Sequence, residues 1–385
     1  MSKIFTFKKI YKAYLDCRKT KRKTINALKF EYCFEKNIFL LMEELKNKTY
    51  KPGRSVCFVV KKPSPREIFA ANFKDRVVHH ILVREIEDIG EKSLIFDTFS
   101  CRKGKGTHFA IKRLKNFIKK ATENHTKEAF YIQMDISGFF MAIDHNILYS
   151  IFEKIILKQK KTQIWKDDIL WLAKTIIFSK PTENYLIKGQ RSLFNILPKR
   201  KSLFYSNGNK GLPIGNYSSQ FFANLYLNKL DQFIKRELKY KYYARYVDDF
   251  ILIGKDKNKL VEAENKVSYF LKTELGMSLN PNKTKLKSLD NGIEFLGYFI
   301  KPLCILAKQK VVKRAKEKIY KLNQLKNLNI DKVVSVLNSY YGHFNHAYTF
   351  NLRKSIFENC VGGGLKGKIL ASADYKKIIL KKINA

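Results

Sequence analysis

The feature that most constrains this chain is a pair of adjacent acids, Asp248 and Asp249, set between two apolar, β-rich runs. The segment YYARYVDDFILIG at 242–254 predicts a hairpin with largely buried strands and the two acids at its tip. Two carboxylates in such a place are costly unless something neutralises them. The pattern therefore predicts either a site for divalent cations or an ordinary turn that reaches water.

A third acid, Asp135, ends a predicted strand that begins at Tyr131. Three acids on adjacent strands of one sheet can share two Mg²⁺ ions, an arrangement that clamps the attacking and leaving oxygens of a phosphoryl transfer. An Asp pair is a weak signal by itself, because Asp167–Asp168 is another. That second pair lies in a helical pattern, and we interpret it as an exposed helix face.

Side chains near these acids suit a nucleotide. Phe140 follows Asp135 closely, and an aromatic ring there can lie under a sugar and exclude a 2′-hydroxyl; the alternative is a core aromatic. Lys61, Lys62 and Arg66 flank a predicted turn between two strands, where an ammonium and a guanidinium can grip a triphosphate. A lone basic hairpin would be a weak signal in so basic a chain.

Two further residues have candidate roles. Gly215, in the turn GLPIGN, would let the backbone approach a base pair closely, with a plain turn glycine as the alternative. Lys283, in LNPNKTKLKS, is a candidate proton donor to a pyrophosphate leaving group, although lysines are abundant here.

Composition indicates a polyanionic partner. Lys and Arg number 76 against 34 Asp and Glu, a net charge of +42, and the basic clusters recur along the whole length. Each phosphate contact releases condensed counterions, which favours nucleic acid. Six scattered cysteines without a CxxC predict free thiols in a reducing cytoplasm and argue against a zinc site. The start lacks the apolar run of a secretory signal, and no stretch is apolar enough to predict a membrane span.

Hydrophobic periodicity predicts a mixed α and β chain. Residues 1–50 predict two helices, 293–300 predict one strand, and the glycines at 362–364 predict a break before a short basic tail. Other helices are predicted within 73–125, 146–180, 218–235, 259–275 and 307–361, and other strands within 54–72, 131–135 and 242–254.

Seven segments, taken in order, resemble the consecutive motifs of reverse transcriptases. They are PREIFAANFKDRVVHHIL (65–82), SLIFDTFSCRKGKGTH (93–108), QMDISGFF (133–140), GLPIGNYSSQFFANLYL (211–227), ARYVDDFILI (244–253), LNPNKTKLKS (279–288) and EFLGYFI (294–300). The resemblance covers roughly residues 5–350. It implies an α+β right-hand polymerase with fingers, a palm with an antiparallel sheet, and an α-helical thumb.

The same resemblance implies domain bounds and site residues. N-terminal helices and fingers would span 1–130, the palm 131–300 with a helical insertion at 146–210, the thumb 301–361 and a basic tail 362–385. Two Mg²⁺ ions would be held by Asp135, Ile136, Asp248 and Asp249. Nucleotide-binding residues would be Lys61, Lys62, Arg66, Phe140, Ile214, Gly215, Gln220 and Lys283, and the primer grip would be Phe295, Leu296 and Gly297.

Ile214 and Gln220 narrow the resemblance to particular subfamilies of reverse transcriptases. Many reverse transcriptases carry Gln and Pro at these positions, and the pattern here is similar to diversity-generating retroelement enzymes. That subfamily implies a bacterial or phage-encoded cytoplasmic enzyme that copies a structured RNA from a primer with dNTPs, is error-prone at adenines, and works with a small basic accessory protein or second subunit. Reverse transcriptases of antiphage defence share much of this pattern, and a non-catalytic RNA-binding scaffold is the alternative from another class.

Overall fold

The structure is a computed structural model that describes residues 3–19, 21–61, 64–325 and 329–381. Lys62 of the expected triphosphate site lies outside the described residues. The α-helices are α1 (Phe7–Arg18), α2 (Ile25–Tyr32), α3 (Phe34–Lys46), α4 (Phe73–Ser93), α5 (Thr107–Ala121), α6 (Phe139–Ala142), α7 (His145–Leu157), α8 (Gln163–Ile177), α9 (Tyr217–Gln232), α10 (Lys257–Leu275), α11 (Gln309–Asn323), α12 (Ile330–Phe344), α13 (Phe350–Ser355) and α14 (Gly363–Lys366).

The β-strands form short antiparallel sheets for the most part. They are β1 (Ser55–Val60), β2 (Arg66–Ala70), β3 (Phe130–Asp135), β4 (Tyr185–Ile187), β5 (Tyr242–Tyr246), β6 (Asp249–Gly254), β7 (Lys285–Ser288), β8 (Ile293–Phe295), β9 (Tyr298–Ile300), β10 (Ile305–Ala307), β11 (Ile369–Ala371) and β12 (Ile378–Leu380). The predicted α+β class is confirmed.

The chain divides into two compact units. Unit 1 comprises Met1–Gly104, Gln133–Leu252 and Val261–Lys285, and unit 2 comprises Lys105–Ile132, Ile253–Leu260 and Leu286–Ala385. Among the described residues, no helix has both the length and the apolar character needed to cross a membrane.

Two sheets matter for the site. A four-stranded sheet has the order β5-β6-β3-β7, and β1 pairs antiparallel with β2 and parallel with β4. In the β1–β2 pair Cys57 lies opposite Phe69, and both side chains are buried. The start of helix α7 is fixed by its N-cap residue. The Asp144 side chain accepts hydrogen bonds from the backbone N–H groups of Asn146 and Ile147.

Several predictions from periodicity were wrong. Residues 1–50 form three helices rather than two, because Cys33 leaves the helical conformation between α2 and α3. The predicted single strand at 293–300 is a hairpin of β8 and β9, because Leu296 and Gly297 both have a positive φ. The predicted basic tail is folded: α14 begins within the glycine run, at Gly363, and the β11–β12 hairpin follows it.

The interpretation of Asp167–Asp168 as an exposed face holds for only one of the two acids. Asp167 is exposed, whereas Asp168 is buried with 4% of its surface accessible. The Nζ of Lys48 lies 3.5 Å from Asp168 Oδ1. Asp168 is therefore part of the packing between elements and not of a solvated helix face.

Candidate active site

The turn between β5 and β6 carries Asp248, the first acid of the pair, and has an unusual backbone. It consists of Val247 and Asp248, and Val247 adopts a φ of 59°. A two-residue hairpin turn with a positive φ at its first position ordinarily has glycine there. A β-branched residue in that conformation stores on the order of 1–3 kcal/mol, which persists only where the surroundings impose it.

Asp135 lies beside this turn. It is the last residue of β3, is 8% exposed, and its neighbour Ile136 donates its backbone N–H to the carbonyl of Asp248 at 3.3 Å. The backbone N–H of Asn280 donates to the carbonyl of Asp135 at 2.7 Å. The ammonium of Lys283 lies 2.6 Å from Asp135 Oδ2. Three segments far apart in sequence thus bring two acids and one lysine together.

Asp249 lies on the same hairpin but has a different partner. The side-chain amide of Gln133 donates to Asp249 at 2.9 Å to Oδ1 and 3.2 Å to Oδ2. Burial raises the pKa of Asp249 to about 7, with Asp135 and Asp248 adding to the rise and the Gln133 hydrogen bond opposing it. Burial, followed by the charge of Asp135, also raises the pKa of Asp248. Lys283 opposes both rises, and Arg66 opposes that of Asp248, but neither cation offsets the burial of these carboxylates.

A cavity of about 420 Å³ opens over these acids, with all of its lining in unit 1. Asp135, Ile136 and Asp248 line it together with Lys283. The other expected nucleotide-binding residues that line the cavity are Arg66, Phe140, Ile214, Gly215 and Gln220. Neither Asp249 nor Lys61 is part of the lining.

Phe140 and Ile214 are held from behind by a small apolar cluster. Both pack, partly buried, against the cluster that includes Phe69 and Leu203. Gly215 has a φ of 123°, and a Cβ there would lie 2.8 Å from Ile68 Cγ2. The close approach that excludes a side chain at Gly215 is therefore to β2, and it keeps the cavity wall against that strand.

The expected primer-grip residues lie in unit 2. Phe295 is buried, and Leu296 and Gly297 form the turn between β8 and β9. The Nε2 of His343 lies 3.3 Å from the carbonyl oxygen of Gly297, and the ring of His343 stacks on Tyr298 with centroids 4.2 Å apart. This turn is thus fixed by helix α12.

Sequence reasoning missed two cations on the cavity wall, Arg200 and Lys201. Gly138 permits their approach: its φ is 56°, and a Cβ there would lie 2.6 Å from the carbonyl oxygen of Arg200. Buried Glu67 fixes the segment, because it accepts from Ser202 Oγ at 2.7 Å and from the backbone N–H of Leu203 at 2.6 Å. The sequence does not predict this placement of Arg200 and Lys201, because they belong to a basic run in a region without hydrophobic periodicity.

Sequence reasoning also missed the positions of Gln133 and Arg245. Gln133 occupies an inward-facing position on β3, where alternation suggested only a polar, outward residue. Arg245 lines the cavity yet is only 1% exposed. A buried arginine directly before Tyr246 has no sequence signature in a chain that is basic throughout.

The donor set suits a hard divalent cation. Asp135 and Asp248 supply carboxylate oxygens to one cavity, Mg²⁺ prefers such ligands, and the raised pKa of Asp248 reports charge that a cation would compensate. Across the described residues, however, no three His, Cys, Asp or Glu side chains are gathered closely enough to hold one metal ion. Asp249 accepts from Gln133 and does not line the cavity.

Comparison with known proteins gives a consistent family. Residues 51–300 match the family described as reverse transcriptase (RNA-dependent DNA polymerase). The protein YkfC of Escherichia coli is 23% identical over 294 residues, which cover 67% of this chain and 70% of YkfC. A putative COX1/OXI3 intron 2 protein of Saccharomyces cerevisiae is 21% identical over 291 residues, which cover 61% of this chain and 30% of that protein.

Among solved structures, apo telomerase from Candida tropicalis, truncated from its C-terminal domain, matches with a TM-score of 0.48 at 14% identity. That match covers 66% of this chain and 55% of the telomerase chain. Telomerase from Candida albicans in complex with a fragment of telomeric RNA matches with a TM-score of 0.47 at 14% identity. It covers 84% of this chain and 59% of the telomerase chain. The chain thus spans little more than half the length of these telomerases.

Proposed function

Because this chain belongs to the reverse transcriptase (RNA-dependent DNA polymerase) family, we propose that it extends a DNA primer on an RNA template with dNTPs. One observation supports this proposal most strongly. A single cavity gathers two acids from distant segments with a half-buried phenylalanine and an exposed arginine: Asp135, Asp248, Phe140 and Arg66. Acids alone would fit many phosphoryl-transfer enzymes, but the aromatic ring beside them suits a substrate that carries a sugar.

Two Mg²⁺ ions would be held by Asp135, Asp248 and the carbonyl oxygen of Ile136, with Asp249 beside them. Bound there, they would stabilise the charge that develops on the attacking and leaving oxygens. Asp249 would contribute only after its carboxylate leaves Gln133. At a pKa of about 7, it is also partly protonated near neutrality until a cation lowers that pKa.

The remaining lining residues bind the nucleotide and the new base pair. The guanidinium of Arg66 forms no hydrogen bond or ion pair with another described residue, so it remains available to a triphosphate. The ring of Phe140 lies under the sugar and excludes a 2′-hydroxyl. Lys283 donates a proton to pyrophosphate after its ammonium leaves Asp135. Ile214, Gly215 and Gln220 lie beside the nascent pair.

The finer proposal is an enzyme of a diversity-generating retroelement, acting in a bacterial or phage-infected cytoplasm. The apolar Ile214 on the cavity wall supports it, because it offers no hydrogen bond with which to select a base. The net charge of +42 supports an RNA template. The structured form of that RNA and a small basic accessory protein or second subunit are proposed from the resemblance to this subfamily alone. Sequencing of the cDNA tests this: errors concentrated at template adenines are expected, and uniform fidelity would exclude the subfamily.

Primer extension tests the enzymatic proposal. Purified protein with a primed RNA template, Mg²⁺ and dNTPs should lengthen the primer, and omission of Mg²⁺ should stop it. Phe140→Ala should raise ribonucleotide incorporation relative to Phe140→Tyr, which keeps the ring. RNA binding without extension on every primed template would identify a non-catalytic scaffold instead.

A further inference from the structure

A fully buried ion pair lies directly behind the acidic turn. Arg245 on β5 donates from Nε to Asp231 Oδ1 at 2.7 Å and from Nη2 to Oδ2 at 2.6 Å. The hydroxyl of Tyr243 donates to the same carboxylate at 2.6 Å. Arg245 is 1% exposed and Asp231, on α9, is 0% exposed. The guanidinium is therefore fixed in one orientation by a bidentate contact.

The remaining nitrogen of this guanidinium reaches the turn. Arg245 Nη1 donates to the carbonyl oxygen of Val247 at 2.9 Å and lies 3.4 Å from Asn224 Oδ1. Asn224 in turn donates its side-chain amide to the carbonyl of Ser100 at 2.9 Å. The peptide bond that carries this Val247 carbonyl also carries the N–H of Asp248. Arg245 thus holds the peptide plane immediately before the metal-binding acid.

Packing alone does not account for the pair. An apolar pair of similar volume would fill the same space with equal or greater stability, since desolvation of two charges offsets most of their attraction. What an apolar pair cannot do is donate a hydrogen bond to Val247, whose left-handed φ of 59° is unfavourable for a β-branched residue. The backbone therefore needs an external contact at this residue.

We propose that Arg245 and Asp231 are positioning residues: they hold the Val247 peptide in its left-handed conformation and thereby aim the Asp248 carboxylate at the metal site. The inference rests on the proposed polymerase function. Neither residue takes part in bond making. A displacement of the carboxylate by about 1 Å is expected to slow nucleotide transfer by about 10²-fold.

The test removes the hydrogen bond while the core stays filled. The charge-free double variant Arg245→Met/Asp231→Leu deletes both charges together, so that neither is left buried alone. Arg245→Lys keeps a positive charge for Asp231 but cannot bridge Asp231 and Val247 at once. Leu230→Ala, one residue before Asp231 and 0% exposed, is the matched control, because it lowers stability without touching the pair.

Three quantities are measured for each variant: the melting temperature, amide hydrogen exchange in the peptide covering 242–250, and kcat and KM for a dNTP as Mg²⁺ is varied. The double variant should remain folded, exchange faster at the turn, lose about 10²-fold in kcat and need more Mg²⁺ for half-maximal rate. Leu230→Ala should melt earlier but keep the turn exchange, the Mg²⁺ requirement and kcat per folded molecule.

Adding Val247→Gly to the double variant tests the backbone route. Glycine adopts the left-handed conformation without the penalty of a β-branched side chain, so about tenfold of the lost rate should return. A folded double variant with wild-type kcat, Mg²⁺ requirement and turn exchange would overturn the inference. If the double variant does not fold, the same wild-type values in Arg245→Lys would overturn it equally.

Failure of the two proposals is distinguishable. A wild-type protein that does not extend any primer would remove the polymerase, whereas the exchange measurement would still show whether Arg245 holds the turn. A wild-type protein that extends primers, together with unaffected Arg245 variants, would remove only the positioning role.

Discussion

Unit 1 contains two clusters of side chains built around aspartates, and the clusters differ in how the aspartate charge is compensated. Asp231 is fully buried, whereas Asp248 and Asp249 are partly buried. Asp231 accepts from Tyr243 and twice from Arg245, so its carboxylate is fully satisfied with no surface exposed. Asp248 in the β5–β6 turn and Asp249 at the start of β6 have no ion pair with a described arginine, and burial raises the pKa of both. In the first cluster both carboxylate oxygens accept hydrogen bonds from buried donors. The second cluster carries the excess negative charge that is typical of a cation-binding site.

The largest expected effect separates these clusters by activity. Asp248→Asn should reduce primer extension below detection, because an amide cannot supply the negative charge that holds Mg²⁺, while the fold should persist. Asp167→Asn is the control, since it makes the same change in another Asp pair at an exposed position. Extension assays with circular dichroism check both variants, and retained extension in Asp248→Asn would remove the metal assignment.

Stability should change in opposite directions when one acid of each cluster is neutralised. Asp231→Ala leaves Arg245 buried without its partner and should lower the free energy of unfolding by about 3–5 kcal/mol. Asp249→Asn removes an under-compensated charge and should leave the free energy of unfolding unchanged or raise it at pH 8 without Mg²⁺. Urea denaturation measures both. Equal destabilisation would show that the two clusters are structurally alike.

The pH dependence of stability should come from the acidic turn. The pKa of Asp249 is about 7 in the native protein and about 3.8 in the unfolded chain, so the native state binds more protons between these values. Its contribution to the free energy of unfolding should fall by up to about 1.4 kcal/mol per pH unit as pH rises through that window. Denaturation of wild type and Asp249→Asn without Mg²⁺ isolates this contribution, and identical pH profiles would contradict it.

A smaller effect is expected at Glu67, a buried carboxylate whose charge is compensated less fully than that of Asp231. It accepts two hydrogen bonds but pairs with no cation among the residues that the structure describes, and burial raises its pKa. Glu67→Gln keeps one acceptor oxygen and should lower stability by about 1–2 kcal/mol. It should also raise the KM for dNTP modestly, because Leu203 supports Phe140. Ser202→Ala, which removes only one donor, should show a smaller loss in the same denaturation series.

Much of the acidic turn could be predicted because its signal is local. Apolar runs on both sides of Asp248–Asp249 predict the β5–β6 hairpin, and Asp135 at the end of β3 follows from alternation. The pairing of Asp231 with Arg245 could not be predicted, since it depends on where a helix packs against a strand. The same holds for the hydrogen bond from Gln133 to Asp249.

Errors in the fold have similar causes. Leu296–Gly297 lacks the Asn-Gly or Asp-Gly composition of a two-residue turn. The sequence therefore predicts one strand where the structure has the β8–β9 hairpin. The helical pattern around Asp167–Asp168 predicts an exposed face, yet Asp168 lies on the buried side of α8. The folded C-terminal hairpin has no signal beyond short apolar triplets in a basic background.

That hairpin has a practical consequence for anyone who shortens or tags the protein. Ile369 and Ile378 are 0% and 1% exposed and belong to the core formed by the C-terminal helices. Asn338 on α12 exchanges two hydrogen bonds of 2.8 Å with the backbone of Ile378. A stop codon placed at Gly362 would therefore expose apolar surface and leave the side-chain amide of Asn338 without its backbone partner. The shortened polypeptide should be prone to aggregate.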